Sequence, residues 1–194
     1  TDTASGLVIS GNNSEVYDLT IEMDDKAKWD GNYALQVYNA KKVTINNFTG
    51  TKADAALLVN SSIVTLKGGI DVSGNEYGGI EVSKGKAEGL SNADLYVETP
   101  ITMTDESMSK PAIWKENGQG EVNIAIGVLS VVIDEDIPSL FGKDTQTYYY
   151  VNEKSALEVS NEKELKALVA AGGTVKLGAD IDLETAISVK TNVE

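Results

Sequence analysis

The 194-residue sequence contains no cysteine, no histidine and no arginine. Without Cys there is no disulfide and no thiolate metal site. Without His, the commonest general base and transition-metal ligand is missing. Without Arg, the planar bidentate grip on carboxylate or phosphate is lost, and all 16 basic residues are lysines. Together these absences remove most familiar catalytic machinery. No apolar run approaches the roughly 18 residues of a membrane-spanning helix. The chain also opens at Thr1 without a Met or an apolar signal, and it ends at Glu194 just after a strand-like run. We therefore expect a piece of a longer protein, with any signal peptide and wall anchor outside it.

What is present points to a folded, acidic chain. Hydrophobic residues make up 41%, too many for a disordered segment, and the length suits one or two domains. The formal net charge of −14, with no basic patch, excludes nucleic acid as a partner, because phosphates would be repelled.

A short pattern recurs: Gly6-Leu7-Val8-Ile9, Ala34-Leu35-Gln36-Val37, Ala56-Leu57-Leu58-Val59 and Gly79-Ile80-Glu81-Val82. Each copy is a small residue, an apolar residue, any residue, then a β-branched one. Successive copies lie 28, 22 and 23 residues apart, a period typical of stacked repeats. A second strand-like run follows each copy: Val16 to Met23, Val43 to Phe48, Ile63 to Leu66, and Leu95 to Val97. Alternation within them is period-2, with Leu19, Ile21 and Met23 opposite Asp18, Thr20 and Glu22. Polar turns such as Gly11 to Ser14 join the two strands, and longer variable loops close each unit. Asn39 and Asn60 sit at such turns but at different offsets, so we assign them to turn geometry.

This pattern predicts an all-β fold, a right-handed parallel β-helix, or solenoid. Leu7, Leu35, Leu57 and Ile80 would form one interior column, and Ile9, Val37, Val59 and Val82 the next. The pattern fades between Glu98 and Pro111. One short amphipathic capping helix is expected near residues 161–171. Asn161 is its N-cap with Glu164 three residues on, Leu165, Leu168 and Val169 form its apolar stripe, and Gly172-Gly173 stops it. Thr147 to Val151 reads as a strand beside that helix, with Tyr148, Tyr149 and Tyr150 pairing within it. Short strand-like runs follow the helix at Thr174 to Leu177, Ile181 to Leu183 and Ala186 to Val189. The expected organisation is a β-helix over 1–133, a connecting strand and linker over 134–159, and a third segment over 160–194. That last segment either begins a further β-helix unit or folds back as a lid.

The residues Ala34 to Asn39 with Val43 to Phe48, and their counterparts one repeat away, resemble the pectate-lyase-like superfamily of single-stranded right-handed β-helices. The resemblance covers roughly residues 6 to 133. The run from Glu164 to Asp182 resembles the helix-then-first-strand opening of β-helix domains in bacterial surface proteins. These resemblances imply an extracellular module, secreted or at the bacterial cell surface. The superfamily includes enzymes, adhesins and stalks, so fold alone does not select among them.

Four groups of residues are candidates for chemistry. The loop from Asp24 to Asn32 gathers Asp24, Asp25 and Asp30, oxygen ligands suited to Ca²⁺, although its spacing is not that of an EF-hand and the acidic run also reads as a solvated loop. Family lyases that cleave acidic polysaccharides use an Arg base; here only Lys41, Lys42 or Lys67 could substitute. Outward carboxylates Asp18, Glu22, Asp71 and Glu81 could supply the pair that glycoside hydrolysis needs. Trp29, Tyr33, Tyr38, Tyr77, Tyr96 and Trp114 fall in loops or at outward positions, where rings bind sugar faces or proteins, or pack under loops that fold back. Trp29, Asp30, Tyr33 and Tyr38 form the preferred ligand-facing edge. The expected function is a non-catalytic stalk or adhesin-like module that binds glycans or host and neighbouring surface proteins. It needs no cofactor, with Ca²⁺ as the exception, and open ends would allow head-to-tail self-association. The alternative is a polysaccharide lyase or glycoside hydrolase acting on the outer face.

Overall fold

A computed structural model describes residues 5–24, 31–104, 110–125, 131–134, 146–151, 157–159, 162, 165–166, 175–177 and 179–187. The strands are β1 (Leu7–Ile9), β2 (Glu15–Glu22), β3 (Tyr33–Tyr38), β4 (Val43–Thr51), β5 (Ala55–Asn60), β6 (Ile63–Asp71), β7 (Gly78–Ser83), β8 (Ala93–Val97) and β9 (Ile101–Thr102). They continue with β10 (Ile113–Glu116), β11 (Gly120–Ile124), β12 (Val131–Asp134), β13 (Gln146–Val151), β14 (Leu157–Val159) and β15 (Val175–Leu177).

Two sheets organise the chain. The first runs β1-β3-β5-β7-β10-β13-β12 and the second β11-β8-β6-β4-β2, with β9 paired to β6. From β1 to β8 the chain alternates between them, one strand in each. Neighbours are parallel throughout the second sheet and from β1 to β10 in the first. Beyond β10, β13 and then β12 add antiparallel.

The expected columns line up in register, and they are interior from Leu35 and Val37 onward, whereas Leu7 in the end strand is 42% exposed because no described strand stacks beyond β1. Leu7 pairs in register with Leu35, Leu35 with Leu57, Leu57 with Ile80, and Ile80 with Ile113. Ile9, Val37, Val59 and Val82 line up two residues on. The small residue of each copy lets the chain pass close to its neighbours: a Cβ on Gly79 would lie 2.5 Å from Val72 Cγ2. Leu35, Leu57, Ile80 and Ile113 are fully buried, each contributing about 1.5–3 kcal/mol of transfer energy. Inward residues of the second sheet, including Val43, Ile45, Phe48, Val64, Leu66 and Leu95, complete the same core.

The repeat extends further than its most regular copies. Ala112-Ile113-Trp114-Lys115 is a fifth copy with Lys115 at the β-branched place, 33 residues after Val82, so the pattern resumes beyond Pro111. Thr147 to Val151 is a strand as expected, and as part of β13 it joins the first sheet.

Connections differ in length. Residues 39–42 join β3 to β4 and residues 61–62 join β5 to β6, whereas 84–92 join β7 to β8. That longer connection is pinned at both ends: Lys84 N–H donates to Gln119 Oε1 (2.9 Å), Gly85 N–H to Ser61 Oγ (2.9 Å), and Ser91 Oγ to Ser61 O (3.3 Å). On the return from β6 to β7, Asn75 is 1% exposed and fully engaged. Its Nδ2 donates to Gly50 O (2.9 Å) and Val72 O (2.8 Å), and its Oδ1 accepts from Ala53 N–H (3.1 Å).

Near the C-terminus β14 and β15 pair in parallel. Within the expected 161–171 helix, Glu162, Leu165 and Lys166 are helical, and the other positions lie outside the described residues. Glu162 Oε1 accepts from Lys166 Nζ (2.5 Å) and from Glu184 N–H (3.1 Å). Ile181 to Leu183 is not a strand, despite its alternation. It pairs with no described strand, and without a partner alternation alone fixes no ladder.

Candidate functional site

The two sheets turn different surfaces outward. On the first sheet Gln36, Leu58, Glu81, Trp114 and Tyr148 form one row across five strands. Alternation places them outward, yet Trp114 and Tyr148 are fully buried. They cluster with Tyr33, Ala55 and Leu58. Gly78 makes the contact possible, because a Cβ there would lie 2.8 Å from the Trp114 ring.

Polar groups are set into this covered face. Tyr33 Oη donates to Glu81 Oε2 (2.6 Å) and Ser83 Oγ to Glu81 Oε1 (2.8 Å). Tyr148 Oη donates to Gln146 Oε1 (2.7 Å), and Gln146 Nε2 donates to Glu116 Oε1. Burial pushes the Glu81 carboxyl up; the hydroxyls of Tyr33 and Ser83 pull it back, and the charge of Glu116 pushes it up again. Burial, then the charge of Glu81, drives the Tyr33 phenol far above its usual range and keeps it protonated. A raised carboxyl beside a second one is the raw material of acid–base catalysis. Here, however, each Glu81 oxygen already accepts an internal hydroxyl.

The second sheet is open. Asp18 (φ 52°), Asn47 (φ 60°) and Gly68 (φ 66°) adopt left-handed backbone, which Asn, Asp and Gly tolerate best. Register shifts between Asn46 and Phe48, so two successive residues face outward before Phe48 returns to the core. Asn47 locks this bend across three strands: its Nδ2 donates to Asp18 Oδ1 (2.8 Å), and its Oδ1 accepts from Gly69 N–H (2.7 Å). The bend leaves a groove of about 360 Å³, whose polar lining is Asp18, Thr20, Asn47, Thr49, Asp71 and Thr102. Thr20, Thr49, Asp71 and Thr102 pair in register across four strands and form one row.

The candidates from the sequence scatter. Tyr33 and Trp114 are buried, so neither ring is an exposed sugar platform. Tyr38 and Tyr77 are half-buried, while Tyr96 is exposed. Trp29, Asp25 and Asp30 lie outside the described residues; Asp24 is exposed. Among the described residues no three acidic side chains converge as a metal site. Lys67 pairs with Glu98 (3.3 Å) and Lys52 with Glu22 (2.6 Å), whose carboxyl is held low by the Lys52 hydrogen bond and then its charge. Lys41, Lys42 and Lys67 do not line the groove, whereas Asp18 and Asp71 both do. Straight strands ending at Phe48 and Leu66 do not reveal the Thr row or the role of Asn47, because β4 and β6 run on past the bend to Thr51 and Asp71. The signal was the three-residue step between apolar positions, Val16 to Leu19 and Ile45 to Phe48.

No family model, no curated protein and no solved structure matches this chain.

Proposed function

We propose that this chain is a right-handed parallel β-helix acting as a non-catalytic extracellular module of a bacterial surface protein, a stalk or display platform whose open face binds glycans. In-register parallel pairing, with the chain passing alternately between two sheets around one core, supports the β-helical reading. The observation that carries the functional reading is the division between the faces. The carboxyl with the most enzyme-like environment, Glu81, has both oxygens occupied within a covered surface, and the open groove offers hydroxyls, an amide and carboxylates without a cation. The missing His and Arg point the same way.

One observation favours a second reading, glycoside hydrolysis: Asp18 and Asp71 share the groove. They lie two strands and two residues apart, so their backbones are separated by roughly 12 Å. Even with both side chains turned toward each other their carboxyls stay wider apart than the roughly 5 Å of retaining pairs, so only the wider inverting geometry is within reach. A panel of neutral and uronate-rich polysaccharides should give neither new reducing ends nor unsaturated products. Saturable turnover abolished by D71N would overturn the non-catalytic reading and establish the second.

A further inference from the structure

Building on the binding-module reading, the geometry points to the groove of the second sheet as a subsite for an uncharged, extended glycan, read by the row Thr20, Thr49, Asp71 and Thr102. The row crosses four hydrogen-bonded strands, so its members recur at the strand spacing of about 4.8 Å. That interval is close to the advance per ring of an extended hexose chain, so successive sugars can meet successive side chains. A threonine hydroxyl both donates and accepts, as each sugar hydroxyl does.

The carboxylates add acceptors. Asp71 Oδ1 accepts from Ser73 N–H (3.0 Å) and Asp18 Oδ1 accepts from Asn47 Nδ2, which leaves each residue a second oxygen for a sugar hydroxyl. Such charge-assisted bonds are about twice as strong as neutral ones. The same charges exclude a uronate or a sulfate. No lysine lines the groove, and the nearby Lys52 and Lys67 are engaged by Glu22 and Glu98. An acidic sugar would meet two like charges and no cation, a costly juxtaposition. The Asp18–Asn47–Gly69 bridge fixes the bend before any ligand arrives, which lowers the ordering cost of binding.

The test is an amide chemical-shift titration of the 194-residue chain. The probes are soluble cello-, xylo- and manno-oligosaccharides, with oligogalacturonate as the acidic counterpart. At least one uncharged probe should shift the amides of Asn47, Thr49, Gly69 and Asp71. T49V and D71N should each weaken it about tenfold without moving the unfolding midpoint, as expected for loss of one such hydrogen bond. D71N retains an oxygen for Ser73, and T102V carries the same test should T49V lower the midpoint. Y96T, on the same sheet outside the groove, should change nothing. Shifts centred elsewhere, loss in Y96T but not T49V, or preference for oligogalacturonate would each overturn the groove assignment while leaving a binding module. Silence from every probe at millimolar concentration would overturn it and leave a non-binding stalk. Breakdown of a probe during the titration would instead overturn the non-catalytic reading.

Discussion

On the first sheet, four members of the outward row, Gln36, Leu58, Trp114 and Tyr148, are buried, and Glu81 between them is half-buried. On the second, the outward row from Thr20 to Thr102 lies open around a groove. Both rows point away from the core and both carry a carboxylate. The difference teaches that pointing away from a sheet is not the same as meeting water. What lies over a sheet decides whether a carboxyl there has both oxygens taken by neighbouring hydroxyls, as half-buried Glu81 does, or keeps one available, as half-buried Asp71 does. It also separates two kinds of aromatic residue: Trp114 cements a covered face, whereas Tyr17, 59% exposed with its hydroxyl on Glu15 (2.6 Å), stands free above an open one.

The largest effect is expected from hollowing out the covered face. W114A should cost about 3–5 kcal/mol in chemical denaturation, because a fully buried indole leaves a cavity beside Gly78 and Tyr148. A cost below about 1 kcal/mol would mean that the row is open after all. Next is Asn75, which serves the return from the second sheet to the first. N75A removes three buried hydrogen bonds and should cost about 3 kcal/mol at roughly 1 kcal/mol each. On the open side, G68A should cost about 1–3 kcal/mol through its left-handed backbone alone, and the new Cβ would also collide with the side-chain oxygens of Asn46 and Asn47. If the groove depends on this bend, the shift of the Thr49 amide on adding glycan should vanish in the same variant.

A subtler separation uses pH. Burial holds the Glu81 carboxyl above its unfolded value, so the folded chain takes up a proton before the unfolded chain does. Its contribution to stability is therefore fully present below the unfolded pKa of about 4.3 and is lost as pH rises through the folded value. E81Q should exceed the wild type in stability at neutral pH, and the gap should narrow as pH falls toward about 4.3. A gap that stays constant with pH would show that Glu81 is solvated like any surface acid. The smallest effect is expected at Thr49, half-buried in the open row: T49V should leave stability within about 0.5 kcal/mol.

Much of the frame was legible because it rests on periodicity. The Leu35–Leu57–Ile80 column appears in the sequence as a spaced motif, and the ladder places the same residues side by side. Burial of the outward rings was not legible, since nothing local to Tyr33 or Trp114 announces what packs over them. The groove was hidden for another reason: it depends on a bulge that breaks the alternation used to read strands. Asn47 reads only as one position of the run Val43 to Phe48, and its role emerges only when Asp18 and Gly69, distant in sequence, stand on either side of it. Alternation without a partner misled in the opposite direction at Ile181 to Leu183.

The long connection 84–92 has a practical consequence. Val64 and Leu95 remain in register across it, although the chain between β7 and β8 has grown well beyond its counterparts. Its ends are fastened to Ser61 and Gln119, while a side chain at Gly89 would meet nothing within 4 Å. Foreign sequence spliced in at Lys86 to Gly89 would therefore project from the molecule without disturbing the strands below, making this loop a natural port for grafting an epitope or a reporter.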